Sequence, residues 1–334
     1  MHAQQAILSL VLIGSSSVCA AQEQLKVVTT LKVLADIAAA VGGDLVQADH
    51  LCHPAQDPHQ VRARPTLMKK VRNADVFIRV GLSLEPWAQR VLDGAGNNRI
   101  QRGQTGHIVA TSGIEVLGIP DEISRSQGHI HADGNPHMWI DPLRARAIAT
   151  NIASGLARVA PGRAANFETS LARYQRRLDE ALFGTVAVEK VGGDQLAEAL
   201  AEKRLLKVLG DVELGGWLAK AGSLRGKSFI TYHDNWIYLA DRFGFAVPIN
   251  IEKLPGIPPS AKHRDLVIET ARDGKAKGII CAAYYSTRAA EFVAERSGCP
   301  LLILPLDVGS DPRAGDYFAL IDLLLDELQN AAGS

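Results

Sequence analysis

Leu25-Lys26-Val27-Val28-Thr29-Thr30-Leu31 is a short apolar run, residues 33–41 repeat their apolar side chains at helical spacing, and 46–51 form a second apolar run. Strand, helix and strand in that order, with a helix-length crossover, make the unit that builds a parallel sheet. Further along, runs at 76–80, 108–111, 228–232, 245–251, 278–283 and 300–306 alternate with helical patterns at 66–73, 235–243, 260–272 and 287–296. The alternation predicts α/β architecture in two sets, one before about residue 112 and one after about residue 227.

The region between the two sets reads as helical. Asp141-Pro142 is a helix start, with Asp as cap and Pro at the first helical position, and Ile148, Ile152 and Leu156 then recur every fourth residue. After Pro161, the residues Phe167, Leu171, Tyr174, Leu178 and Leu182 form one apolar stripe. A helix of about 20 residues is about 30 Å long, enough to run from one domain to the next. The 184–226 stretch carries further helical patterns, such as 196–209, and no assignable motif.

The chain has 334 residues, 36 basic and 36 acidic side chains, and 47% hydrophobic residues. That apolar content supports two packed cores, and the zero formal charge gives no electrostatic reason to expect nucleic acid as a partner. Ala6 to Ile13 is an apolar run followed by Gly14, three serines and Val18-Cys19-Ala20. Small residues after such a core read as a secretory leader cleaved after Ala20, which predicts a soluble periplasmic protein. Cleavage leaves Cys52, Cys281 and Cys299. Cys281 closes one predicted strand and Cys299 opens the next, which puts them at opposite edges of a parallel sheet, too far apart for a disulfide.

Four side chains have the placement that chemistry needs. His59 lies in the loop after the 46–51 run, His137 precedes the helix that starts at Pro142, His233 follows the 228–232 run, and Asp307 follows the 300–306 run. All four lie at the edge where open α/β sheets bind ligands, two from each set. Three imidazoles and a carboxylate form a tetrahedral nitrogen-and-oxygen set that suits zinc.

Asp57-Pro58-His59, Ala74-Asp75, Gly81-Leu82-Ser83-Leu84-Glu85-Pro86-Trp87, Pro136-His137-Met138-Trp139-Ile140-Asp141-Pro142 and Thr231-Tyr232-His233-Asp234 with Tyr238-Leu239-Ala240 occur in this order. The series resembles the zinc and manganese solute-binding proteins of bacterial ABC importers, the cluster A-I group. The resemblance implies two Rossmann-like α/β lobes with parallel sheets, joined by a long rigid helix, with a metal site in the interlobe cleft. It implies a leader at 1–20, an N-terminal lobe at 21–155, a linker helix at 156–183, and a C-terminal lobe with a helical insertion at 184–334. It implies His59, His137, His233 and Asp307 as metal ligands, a membrane permease as partner, and a monomer that captures zinc and delivers it for import. Histidine as third ligand resembles the zinc-type members, with manganese or iron the alternative cargo.

The sequence departs from the pattern at Gln60–Thr66, at Ala282-Ala283-Tyr284-Tyr285 where an acidic residue is usual, and in a longer segment before His233. His129 and His131 stand in for the His-rich loop of zinc-type members and are auxiliary metal candidates. His263, in a first helical turn at the same edge, is a substitute or fifth ligand candidate. Cys52 is expected to be buried, Asp141 to cap its helix, Trp87 and Trp139 to pack between the lobes, and Arg62 and Arg64 to face solvent. A zinc hydrolase is the rival reading, disfavoured because four protein ligands leave no coordination position for water and no Glu adjoins a ligand. An anchored surface adhesin is a third, against which the poor lipobox at Ser16-Ser17-Val18 counts.

Overall fold

The computed structural model describes residues 23–120, 133–253 and 257–333. The N-terminal lobe runs β1 (Leu25–Thr29), α1 (Lys32–Gly42), β2 (Val46–His50), α2 (Pro65–Arg72), β3 (Val76–Arg79), α3 (Ala88–Ala95) and β4 (His107–Val109). Helices α4 (Pro142–Val159) and α5 (Ala164–Phe183) follow, then four short helices, α6 (Thr185–Val191), α7 (Gly193–Ala201), α8 (Leu205–Leu209) and α9 (Gly216–Lys220). The C-terminal lobe is β5 (Ile230–Thr231), α10 (Ile237–Phe243), α11 (Ala261–Asp273), β6 (Ile279–Ala282), α12 (Arg288–Ser297), β7 (Leu301–Leu304) and α13 (Tyr317–Gly333).

Both sheets are parallel, in the orders β2-β1-β3-β4 and β5-β6-β7. In the first, the order reverses at β1, so a crevice opens beyond its carboxyl end. Val27, Val28, Phe77 and Ile78 are buried there, as expected of strands covered on both faces. Helix α4 lies close on this sheet: a Cβ at Gly155 would meet Ile108 Cδ1 at 2.1 Å, so the position takes no larger residue without displacement.

Two expectations are corrected. The 245–251 run forms no strand but two isolated bridges, Ser228 with Ala246 and Thr231 with Asn250. Pro248 has no N–H to give a ladder. The 196–209 pattern divides into α7 and α8 at Lys203, whose φ of 57° breaks the helix. Helix α13 buries Leu320, Ile321, Leu324, Leu325 and Leu328 and exposes Asp322 and Asp326 on the opposite side. The stretch 156–183 holds the last turn of α4, a break around Pro161, and the 20-residue α5. Helix α5 packs on α1 and α4, and also on α6, α7 and α9.

The lobes share one apolar core, in which Val33, Trp139 and Phe167 join Leu306, Tyr317 and Leu328; a smaller cluster lies under α11 and α12. Polar bonds cross between the lobes as well. The Trp139 indole donates to the Leu306 carbonyl at 2.7 Å, and Tyr317 Oη donates to the Trp139 carbonyl at 2.8 Å. Asp141 caps α4 through the Leu143 amide and also receives a two-pronged Arg242 guanidinium at 2.6 and 2.9 Å. Trp139 thus lies between the lobes as expected. Trp87 is also buried in this shared core and donates to the Pro58 carbonyl within the first lobe.

Arg144 also reaches Asp141, at 2.6 Å, so the carboxylate keeps one cation if the other is removed. Arg242→Met should therefore cost about 3 kcal/mol, the low end for breaking a buried pair. Chemical denaturation measures this; a loss under about 1 kcal/mol would put the pair with exposed ones.

Candidate metal centre

Each of the three histidines is oriented from its own loop. Asp57 caps the turn Pro58–Gln60, accepting the His59 amide at 2.9 Å and the His59 Nδ1–H at 2.8 Å through the same oxygen. The Trp87 indole, 2.7 Å from the Pro58 carbonyl, holds that turn in place. Asn135 repeats the device for His137, accepting its amide at 3.0 Å and its Nδ1–H at 2.9 Å. The Asn135 amide nitrogen donates to the Asp234 carbonyl, which fixes which end of Asn135 faces the ring. His233, at the end of β5, places Nδ1 2.6 Å from Glu252 Oε2.

An acceptor on Nδ1 keeps the proton there and leaves the lone pair of the neutral ring on Nε2. All three rings are set this way. They also meet: His59 and His137 centroids lie 5.4 Å apart, His59 and His233 6.2 Å, and His137 and His233 6.4 Å. Around a tetrahedral ion with metal–nitrogen bonds of about 2.0–2.1 Å, imidazole centroids sit roughly 5 Å apart. The first pair matches, and His233 stands back by about 1 Å on that geometry. Accordingly, among the described residues no three His, Cys, Asp or Glu side chains are already close enough to hold an ion.

Asp307 lies three residues beyond β7 and crosses to the other lobe. Its carboxylate accepts the Lys32 amide at 3.1 Å and the Val33 amide at 2.7 Å, in the first turn of α1, and its own neighbour's Val308 amide at 2.8 Å. This is an anion on a helix N-terminus, in the crevice beyond β1. Burial pushes its pKa up to about 7, against the lowering effect of the three amides. Asp57 shows the opposite balance: burial raises it, but the hydrogen bonds and attraction of His59 outweigh that and hold it below the ordinary value.

His263 directs Nε2 to the Asn250 carbonyl at 2.9 Å. His129 and His131 lie outside the described residues. Cys52 is buried, with Sγ near the His53 and Gln56 carbonyls, and burial pushes its thiol up to about 12, so it stays protonated. Cys281 and Cys299 are unpaired as expected, and Arg62 and Arg64 are exposed.

Four polar neighbours were not legible as site residues in the sequence. Glu252 stands just past the bridged Asn250, at the same sheet edge as His233, so its position was the available signal. Asn235 places Nδ2 3.1 Å from His137 Nε2 and 3.0 Å from Tyr284 Oη. Tyr284 and Tyr285 fill the place where the acidic residue was missing, with the Tyr285 ring 5.7 Å from that of His233.

The profile of the family described as zinc-uptake complex component A, periplasmic (ZnuA), matches residues 27–182 and 213–331. The unmatched gap contains α6, α7 and α8. The chain is 24% identical over 318 residues to the iron-binding protein YfeA of Yersinia pestis, covering 93% of this chain and 87% of that one. It is 23% identical over 327 residues to the zinc-binding lipoprotein AdcA of Streptococcus pneumoniae, covering 96% of this chain and 58% of AdcA. Among solved structures, a crystal structure of ZnuA superposes with a TM-score of 0.69 at 21% identity, over 93% of this chain and all of that one. The Mn-bound periplasmic metal binding protein from candidatus liberibacter asiaticus gives 0.65 at 21% identity, over 92% of this chain and all of the other. These two likenesses establish the fold. Among the described residues no helix is long and apolar enough to cross a membrane.

The Glu252 carboxylate is what sets the tautomer of His233, and loss of such an outer partner typically weakens a metal centre about 10–100-fold. Calorimetric titration of Glu252→Ala with a divalent cation should show a loss in that range. Wild-type affinity in the variant would mean that His233 needs no orienting partner.

Proposed function

The chain belongs to the family of periplasmic zinc-uptake complex components, and from that premise we propose that it captures a zinc ion and delivers it to the permease of an ABC importer. The observation that carries the proposal is the convergence of three imidazoles, each with its Nδ1 beside an oxygen acceptor, which makes Nε2 the metal-binding nitrogen. In this reading His59, His137 and His233 bind the cation through Nε2, and Asp307 supplies the oxygen from the opposite lobe. Zinc takes such a nitrogen-rich tetrahedral set readily, whereas manganese favours more oxygen.

Four protein ligands close the shell, so the metal is cargo and no coordination position is left to activate water. Bringing His233 inward by about 1 Å is the adjustment that the spacing of the three rings around a tetrahedral ion asks for. Delivery reverses that step when the permease engages the loops around the site. The shared core and the Asp141–Arg242 pair keep the lobes together through the cycle, which favours local loop movement over a wide hinge. Residues 1–20 serve as the export leader and the mature protein acts as a monomer.

Elemental analysis of protein purified without added metal should find one zinc per chain, and zinc should outcompete manganese and iron in direct titration. His59→Ala and His233→Ala should each abolish stoichiometric tight binding, and wild-type affinity should fall with acid because protons compete for the same nitrogens. Wild-type affinity in His59→Ala would overturn the ligand assignment. Mass spectrometry of exported protein should find Ala21 at its amino terminus; retention of residues 1–20 would contradict the leader.

A further inference from the structure

We propose that Asn235 is a displaceable latch on His137: its amide occupies the metal-binding nitrogen in the conformation described, and the arriving cation has to push it aside. The inference rests on the metal-capture reading above and concerns how loading and release occur.

The hydrogen-bond network fixes the sense of the contact. Asn135 gives its nitrogen to the Asp234 carbonyl, so its oxygen faces His137 Nδ1, and that ring nitrogen is the donor. His137 Nε2 is then an acceptor, and Asn235 Nδ2, 3.1 Å away, donates to it. One in-plane lone pair serves Nε2, whether for a hydrogen bond or for a metal bond of about 2.0–2.1 Å. A cation at that distance along the lone pair would stand roughly 1 Å from the amide nitrogen, so the two cannot be present together.

Asn235 is also built to leave. Its residue is fully buried, yet among the described residues nothing donates to its Oδ1. Its side-chain bonds to His137 and to Tyr284 Oη at 3.0 Å use the nitrogen, and the Tyr285 hydroxyl also lies within its reach. An amide satisfied at one end only gives up less on turning than a fully bonded one. Its backbone nitrogen bonds to the His233 carbonyl at 2.8 Å, in a tight turn two residues from a proposed ligand. Movement of the latch is therefore mechanically linked to His233, the ring that stands furthest from tetrahedral spacing.

A neutral hydrogen bond of this kind contributes a net factor of roughly two to ten in an equilibrium. In Asn235→Ala the stoichiometry should stay at one zinc per chain, while stopped-flow association with a chelating fluorophore speeds up and affinity rises by about two- to tenfold. Asn235→Ser, too short to reach the ring, should behave likewise and covers the case in which the alanine variant folds poorly. In the metal-free wild type, the Nε2 nitrogen resonance of His137 should shift when Asn235 is removed, and the Asn235 side-chain amide signal should move on addition of zinc. Unchanged or weaker zinc binding in both variants, with wild type binding normally, would overturn the latch alone. A wild type that binds no zinc would instead remove the metal-capture reading, and the latch with it.

Discussion

A neutral imidazole has one lone pair to offer, and the partner of one ring nitrogen decides which nitrogen offers it. In this protein Asp57, Asn135 and Glu252 each place an oxygen on an Nδ1, so that Nε2 is the nitrogen each ring offers. The rest of the molecule serves that condition. Two of the acceptors come from the histidine's own loop and take the backbone amide as well as the ring, so each ring is fixed by a closed local turn. The third, Glu252, comes from the neighbouring segment and ties His233 to the bridged region around Asn250.

The placement of those loops follows from the parallel sheets. Every strand of a lobe ends at the same edge, and the loops beyond that edge face the other lobe. Bringing His59 and His137 against His233 then needs the lobes themselves to be held in register. A continuous apolar core does most of this, reinforced by the capping carboxylate Asp141, which serves α4 and Arg242 at once, and by the Asp307 carboxylate on the first turn of α1. Asp307 therefore has two uses in this account: it joins the lobes through backbone amides, and it retains oxygen lone pairs for a cation.

The sequence made the α/β alternation and the clustering of His59, His137 and His233 legible, because strand runs and the loops after them can be located by periodicity alone. Other features depended on information that periodicity does not carry. Pro248 reduced an apolar run to two bridges, and Lys203 broke an apparent helix. Glu252 and Asn235 gain their roles from partners that are distant in sequence: one meets His233 19 positions away, the other His137 98 positions away. The Trp87 indole donates to the Pro58 carbonyl in the His59 turn, a partner 29 positions away that no local pattern indicates.

Capture in this reading depends on which atoms face the cation. A crystal structure of the zinc-loaded protein, with the ion located by its anomalous scattering, tests this most directly. The account predicts one zinc bonded to Nε2 of His59, His137 and His233 at about 2.0–2.1 Å, with a carboxylate oxygen of Asp307 completing a tetrahedron. Zinc bound through Nδ1, or located away from these three rings, would contradict it.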